Sequence, residues 1–287
     1  MLSLLPPVDF ATPEPETRAH AMTKKIIRFD RFIDPETGKG PLYPQSDHIH
    51  QLNVGAIARA ITRRARDELE LDVNPNLAQA LGEMHDFDEI DPRLGDPQRA
   101  HADVMTAEQL ADLARRKAEA RPYAIKRLRK HFRGFLTTEL FRLYEERTSF
   151  EAQAAKAADG LDMYGYCAHE IHAGNSKFLE TQSYHGHTLL PPVINYSTKE
   201  FPSILEKLPL VRPLFENPSA PLFRLPEPRS LEEWHEICRN GKPHTQASIV
   251  EMIWSGKDPL YAAWLEIILK SRNKECIEWL LQSPVRA

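Results

Sequence analysis

Three cysteines, Cys167, Cys238 and Cys276, are all this 287-residue chain carries, and they are far apart. No two stand in a C-x-x-C arrangement, so neither a disulfide framework nor a cysteine-built zinc site is expected, and a reducing compartment is the default. No apolar run approaches the ~18 residues that a membrane-spanning helix needs. The opening Met1-Leu2-Ser3-Leu4-Leu5-Pro6-Pro7 lacks a basic flank and is stopped by two prolines, so it does not read as a signal peptide. Charge of one sign is also missing. A formal net charge of -4, with 27% charged residues, gives no general drive toward nucleic acid or membrane. The expectation is a cytoplasmic protein with a small polar substrate. Also absent are an internal repeat, a heptad array, a period-2 strand pattern, a Walker A sequence, a G-x-G-x-x-G and a G-x-S-x-G elbow.

What remains is helical periodicity, and the fold class it predicts is all-α. Residues 1–22 are rich in Pro, Glu and Thr and read as an N-terminal tail, with Met22 as an alternative start. A helix is expected from about Ser46 to Leu71, capped by Ser46 or Asp47, with Ile49, Leu52, Ala56 and Ala60 as its apolar stripe and Val54, Ile57 and Ile61 broadening it. A second runs from Pro75 to His85, where Leu77, Ala80, Leu81, Met84 and His85 follow helical spacing. Helices over 106–120 and 123–147 are split by Pro122. Another begins after Ser149 and ends at Gly174-Asn175. Residues 191–228 are proline-rich and read as an irregular connector. Residues 229–287 turn helical again, with Leu260, Trp264, Ile267, Ile268, Trp279 and Leu280 buried. The domain plan is thus a tail to 22, a main domain over 23–190, a connector, and a helical C-terminal extension.

The chemistry gathers at polar residues set in apolar surroundings. His85 continues the buried stripe of its helix and is followed by Asp86 and an acidic loop. A His-Asp pair arises readily by chance in a chain with 12 histidines, so its setting carries the weight. His48 opens an earlier helix. Asp159 lies among Ala155, Ala157, Ala158 and Leu161, where a carboxylate is costly unless paired or metal-bound. Two imidazoles and two carboxylates suit a divalent cation and leave positions open for water and substrate. His50 is expected to face away, on an exposed side of the helix, and Asp162 to be structural or exposed. The basic stretch from Arg115 to Arg133 reads as a solvated helix face rather than a nucleic-acid surface, because no aromatics interleave it. His185-Gly186-His187 lacks nearby partners for a second metal site.

The order His48, His85-Asp86, Asp159 resembles the H…HD…D pattern of the HD superfamily. More narrowly, it is similar to the bacterial HD-domain 5′-deoxynucleotidases and their eukaryotic HD-domain-containing relatives. The likeness extends over Ser46-Asp47-His48, His85-Asp86-Phe87-Asp88-Glu89, Gly95-Asp96, Leu143-Tyr144-Glu145-Glu146, the Lys156-to-Leu161 stretch and Gly174-Asn175-Ser176-Lys177-Phe178-Leu179. It covers about residues 25–185. The resemblance implies an HD-type helical bundle with His48, His85, Asp86 and Asp159 as ligands of a divalent ion (Mn, Co, Fe, Zn or Mg). It implies Glu89 acting on the attacking water and Asp96, with Asp91 as rival, assisting the leaving oxygen. Arg31-Phe32, with Arg28-Phe29 as rival, would contact the nucleotide. The implied reaction is hydrolysis of the 5′-phosphate of deoxynucleoside monophosphates. The alternatives are triphosphate hydrolysis on the same site, or a non-catalytic HD scaffold. A homodimer is expected from the resemblance alone.

Overall fold

A computed structural model describes residues 17–26, 40–92, 106–179, 182–184, 188–190, 201–216, 225, 229–255 and 257–285. Its elements are almost entirely helical, as the periodicity predicts. A short α1 (Arg18–Thr23) lies within the segment read as a tail; Thr17 and His20 form its capping box, and Ala19 and His20 are buried. Next come α2 (Asp47–Leu69) and α3 (Pro75–Met84). Ser46 caps α2 by accepting from the Ile49 N–H, and Asn74 caps α3 by accepting from Asn76 and Leu77. A 3₁₀ turn, Phe87–Ile90, follows the His-Asp pair. Then α4 (Ala107–Ile125), α5 (Thr137–Glu146) and α6 (Phe150–His172) complete the bundle.

Two local expectations differ from the structure. Pro122 does not split α4, which continues to Ile125. So close to the C-terminal end, proline removes one helical hydrogen bond and its own φ already suits the helix. Between α4 and α5 the chain makes a small antiparallel ribbon, His131–Phe132 against Phe135–Leu136. Its turn residues Arg133 and Gly134 have φ of 46° and 83°, the positive pair that a two-residue hairpin requires. A second ribbon pairs Gln182–Tyr184 with Thr188–Leu190. Strands this short leave the all-α class intact.

Helices α2, α3 and α6 pack against one another at the centre. Glycine sets how closely. A Cβ on Gly82 would lie 2.9 Å from the backbone of Val54 and Gly55, and one on Gly55 would strike the Glu83 side chain at 2.4 Å. The α2 and α3 backbones therefore nearly touch at Gly55 and Gly82. Next to this crossing, buried Arg133 pairs with buried Glu83, which also accepts from Gln79 at 2.8 Å.

The proline-rich stretch holds packed structure. Residues 201–206 and Arg212–Glu216 are helical, and Phe201, Leu205, Leu208, Val211, Leu214 and Phe215 are buried in the main core. Four C-terminal helices follow: α7 (Leu231–Arg239), α8 (Gln246–Ser255), α9 (Pro259–Lys270) and α10 (Lys274–Leu280). Leu260, Trp264, Ile268, Trp279 and Leu280 are buried as expected, while Ile267 is half-buried. They join the same hydrophobic core as the bundle.

A layer of neutral histidines joins the end of α6 to this C-terminal part. His169 stacks on His244 at 3.9 Å between ring centroids, and its Nδ1 lies 3.0 Å from the Tyr261 hydroxyl. His172 stacks on Tyr261. Burial holds His172 down to about 4 and depresses His169 and His244 in the same direction. A histidine whose folded pKa lies below its unfolded 6.5 contributes stability that is complete above 6.5 and is lost as pH falls toward the folded value.

Two outcomes follow. Gly82→Ala should lower the unfolding free energy by about 1–3 kcal/mol, read by urea denaturation, because backbone rather than a movable side chain opposes the new methyl. Stability should fall between about pH 6.5 and 4, and His172→Gln, which takes no proton there, should flatten that slope.

Candidate metal centre

Helical geometry decides which histidine of α2 faces the core. Residues 48 and 50 are ~200° apart around a helix, so they point to opposite sides. His50 leads the sequence Val54, Ile57, Ala58, Ile61 and Ala65, all at 0% exposure. The residues expected to form the main stripe, Ile49, Leu52, Ala56 and Ala60, are half-buried. His50 is therefore the α2 histidine that continues the buried stripe, as His85 does for α3, and it is 1% exposed rather than solvated. His48 is also buried, but it faces α1 and α10. Its Nε2 lies 3.4 Å from Glu275 and its ring 5.9 Å from His20. Where His48 is expected in the donor set, the structure brings His50 together with His85 and Asp159.

Three elements then converge. His50 Nε2 and His85 Nε2 are 3.2 Å apart. Asp159 Oδ1, from α6, lies 3.5 Å from the first and 3.6 Å from the second. Asp86 Oδ2 lies 2.9 Å from His85 Nε2 and 3.6 Å from His50 Nε2. The imidazoles are buried, and the Asp86 and Asp159 side chains are 14% and 16% exposed, so the cluster opens on its carboxylate side. His50, His85 and Asp159 could hold a metal ion between them.

The other ring nitrogens show why a cation fits. His85 Nδ1 is 2.7 Å from the Gly82 carbonyl, which can only accept, so Nδ1 carries the proton. His50 Nδ1 is 2.7 Å from Asp162 Oδ2, a carboxylate that likewise accepts. With Nδ1 so engaged, each ring turns its Nε2 toward the other and toward two carboxylates, where it can hold either a proton or a cation. A divalent ion with N and O ligands satisfies that donor set. The electrostatics agree. Burial alone would push His85 down, yet Asp86 and Asp159 outweigh it and hold its pKa above the ordinary value. Asp159 and Asp86 sit well below the usual carboxylate range despite burial, mainly through Lys156 for the first and His85 for the second.

Two ammonium groups border the opening. Lys156 Nζ is 2.7 Å from Asp159 Oδ2. Lys117 Nζ lies 3.4 Å from Glu89 Oε1, 3.9 Å from Asp86 and 4.0 Å from Asp88. The sequence places Lys117 on a wet basic face, and Arg115, Lys126, Arg129 and Lys130 of that stretch are exposed, while Arg133 is buried. But Lys117 is in register with buried Leu113, Ala120 and Ala124, and its side chain is only 12% exposed. A cation on an apolar stripe was the sequence signal for it, as it was for the histidines. Glu89 is buried and meets the centre through Lys117; Asp91 is buried too. Asp162, expected to be structural or exposed, is at 0% exposure against His50. Arg28-Phe29, Arg31-Phe32, Asp96 and His185-Gly186-His187 lie outside the described residues.

Residues 48–164 match the family model described as HD domain. That stretch of the chain is similar to an HD domain. All four converging residues, with Glu89, Lys117 and Lys156, fall inside that stretch. The HD domain marks the protein as a metal-dependent phosphohydrolase that uses a divalent ion. No curated protein and no solved structure gives a significant match to the chain. Among the described residues, no helix is long and apolar enough to cross a membrane.

Substitution separates the two histidines of α2. His50→Gln should weaken Mn²⁺ binding by about 100-fold or more in calorimetric titration, and His48→Gln should leave it within about threefold. Equal losses would return His48 to the donor set.

Proposed function

We propose that this HD domain removes the 5′-phosphate of deoxynucleoside monophosphates, with His50, His85, Asp86 and Asp159 holding the divalent ion. The observation that carries the proposal is the pairing of that donor set with Lys117 and Lys156 at its open side. Two ammonium groups beside an anionic cluster suit a substrate that brings several negative oxygens of its own. The nucleotide part of the reading draws on the likeness of Lys156-to-Leu161 and Gly174-to-Leu179 to the HD-domain 5′-deoxynucleotidases.

When bound, the ion supplies positive charge for a phosphoryl oxygen and lowers the pKa of water. The chain supplies the rest. Glu89 takes the proton from the attacking water, its carboxylate oriented by Lys117 at 3.4 Å. Lys117 and Lys156 offset charge gathering on the phosphoryl oxygens as the ester bond breaks. Asp96 assists departure of the 5′-oxygen, and Arg31 with Phe32 receives the nucleotide; these three roles rest on the sequence likeness. The main domain over 23–190 holds this machinery in the proposal. A homodimer belongs to it as well.

The test is phosphate release from a panel of deoxynucleoside mono- and triphosphates with Mn²⁺, Co²⁺ or Mg²⁺ added. Orthophosphate should appear from monophosphates, and Asp86→Ala should abolish it. Lys117→Met should lower kcat by about 10²-fold while metal content stays unchanged. Turnover of triphosphates alone would make the enzyme a triphosphohydrolase on the same centre. Metal binding without turnover of any nucleotide would favour a scaffold role.

A further inference from the structure

The HD match ends at residue 164, yet the hydrogen bonds around His50 do not stop there. Asp162 Oδ2 faces His50 Nδ1 at 2.7 Å and accepts from the Gln45 side-chain amide at 3.2 Å. Asp162 Oδ1 accepts from the Trp264 indole N–H at 2.7 Å. Asp162 and Trp264 are at 0% exposure. Both carboxylate oxygens are thus engaged, one by the histidine and one by a residue of α9 about a hundred positions along the chain. Gly165 makes the approach feasible: a Cβ there would lie 2.3 Å from the Trp264 ring.

We infer that the C-terminal helices complete the metal centre, with Trp264 and Asp162 acting as positioning residues that fix which nitrogen of His50 is offered to the ion. The inference rests on the reading of His50 as a ligand. An imidazole can carry its proton on either nitrogen and can turn about its side-chain bonds. A buried carboxylate at Nδ1 selects the Nδ1–H form and leaves the Nε2 lone pair aimed at His85 and Asp159. That carboxylate could itself rotate. The Trp264 N–H holds its second oxygen, so the orientation of the ring is set from α9. Trp264 touches neither the ion nor the substrate and acts through Asp162.

The test is calorimetric titration of the full-length, chelator-treated protein with Mn²⁺, beside thermal unfolding in chelator. Asp162→Asn has one carbonyl oxygen to share between His50 and Trp264, and should weaken binding about 10- to 100-fold. Trp264→Phe keeps an aromatic ring but loses the N–H, and should weaken it about 3- to 10-fold. Combining the two should cost no more affinity than Asp162→Asn alone, because both act through one carboxylate. Ile268→Ala, in the same helix and fully buried, should lower the unfolding temperature while leaving Mn²⁺ affinity within about twofold. Wild-type affinity in both Asp162→Asn and Trp264→Phe would overturn the inference, as would an equal loss in Ile268→Ala. If the wild type binds Mn²⁺ and releases phosphate while affinity ignores Trp264 and Asp162, only the inference fails. If the wild type binds no divalent ion, the inference and the proposed function fall together.

Discussion

Two imidazole Nε2 atoms face each other at 3.2 Å inside a buried cluster, with carboxylate oxygens on their free side. In a low-dielectric interior this is strongly unfavourable unless positive charge sits among them. The protein meets that demand partly with its own groups: Lys156 against Asp159, Lys117 against Asp86, and a His85 whose pKa is raised. A divalent ion meets it more completely. Much of the surrounding architecture follows from bringing those four side chains together. The α2 and α3 backbones touch at Gly55 and Gly82, and α3 ends at the turn that carries His85 and Asp86. The alanine-rich α6 packs closely enough against both to deliver Asp159.

The sequence made this centre legible wherever a polar residue continues an apolar stripe. His85 announces itself that way, and Asp159 stands out among alanines. His50 carries the same mark, but α2 is buried around much of its circumference, so two stripes compete and the local pattern does not rank them. The identity of the α2 histidine depends on which side meets α3, a tertiary fact that the local period of 3.6 does not contain. Lys117 was hidden differently. It lies in a run of nine basic residues, and only its register with Leu113, Ala120 and Ala124 distinguishes it. The ribbon around Arg133-Gly134 leaves no periodic signal, because its strands are two residues long. Prolines over 191–228 indicate breaks in helices but do not prevent the pieces between them from packing.

The motif Gly174-Asn175-Ser176-Lys177-Phe178-Leu179 acquires a physical meaning in the fold. Gly174 has φ of 99° and closes α6. Asn175 donates to Glu170 at 2.6 Å, while Leu42 N–H and Tyr43 N–H donate to the same carboxylate at 2.8 and 2.7 Å. Glu170 is fully buried, and burial raises its pKa against these hydrogen bonds, which pull it down. The Glu170 side chain therefore anchors the segment that leads into α2. Phe178, at 0% exposure, packs edge-on against Tyr166, which lies one turn before Glu170 on α6. Spacing in the sequence records this anchor, although nothing in it reveals that the start of α2 is what becomes fixed.

The same segment is held from the other end of the chain. Trp279 N–H donates to the Pro44 carbonyl at 3.0 Å, Val285 N–H to Leu42, and His244 N–H to the Tyr43 hydroxyl. The residues just before α2 are thus fixed by α6 on one side and by the C-terminal part on the other. Cutting the chain after the matched HD stretch would remove Tyr261, Trp264 and Trp279, expose the apolar faces they cover, and leave Asp162 without its indole partner. A buried carboxylate losing one of its donors is costly in proportion to its burial, and Asp162 is completely buried. The family match marks where the recurring chemistry lies. The hydrogen bonds and the shared core tie that stretch to residues well beyond 164, as far as α10.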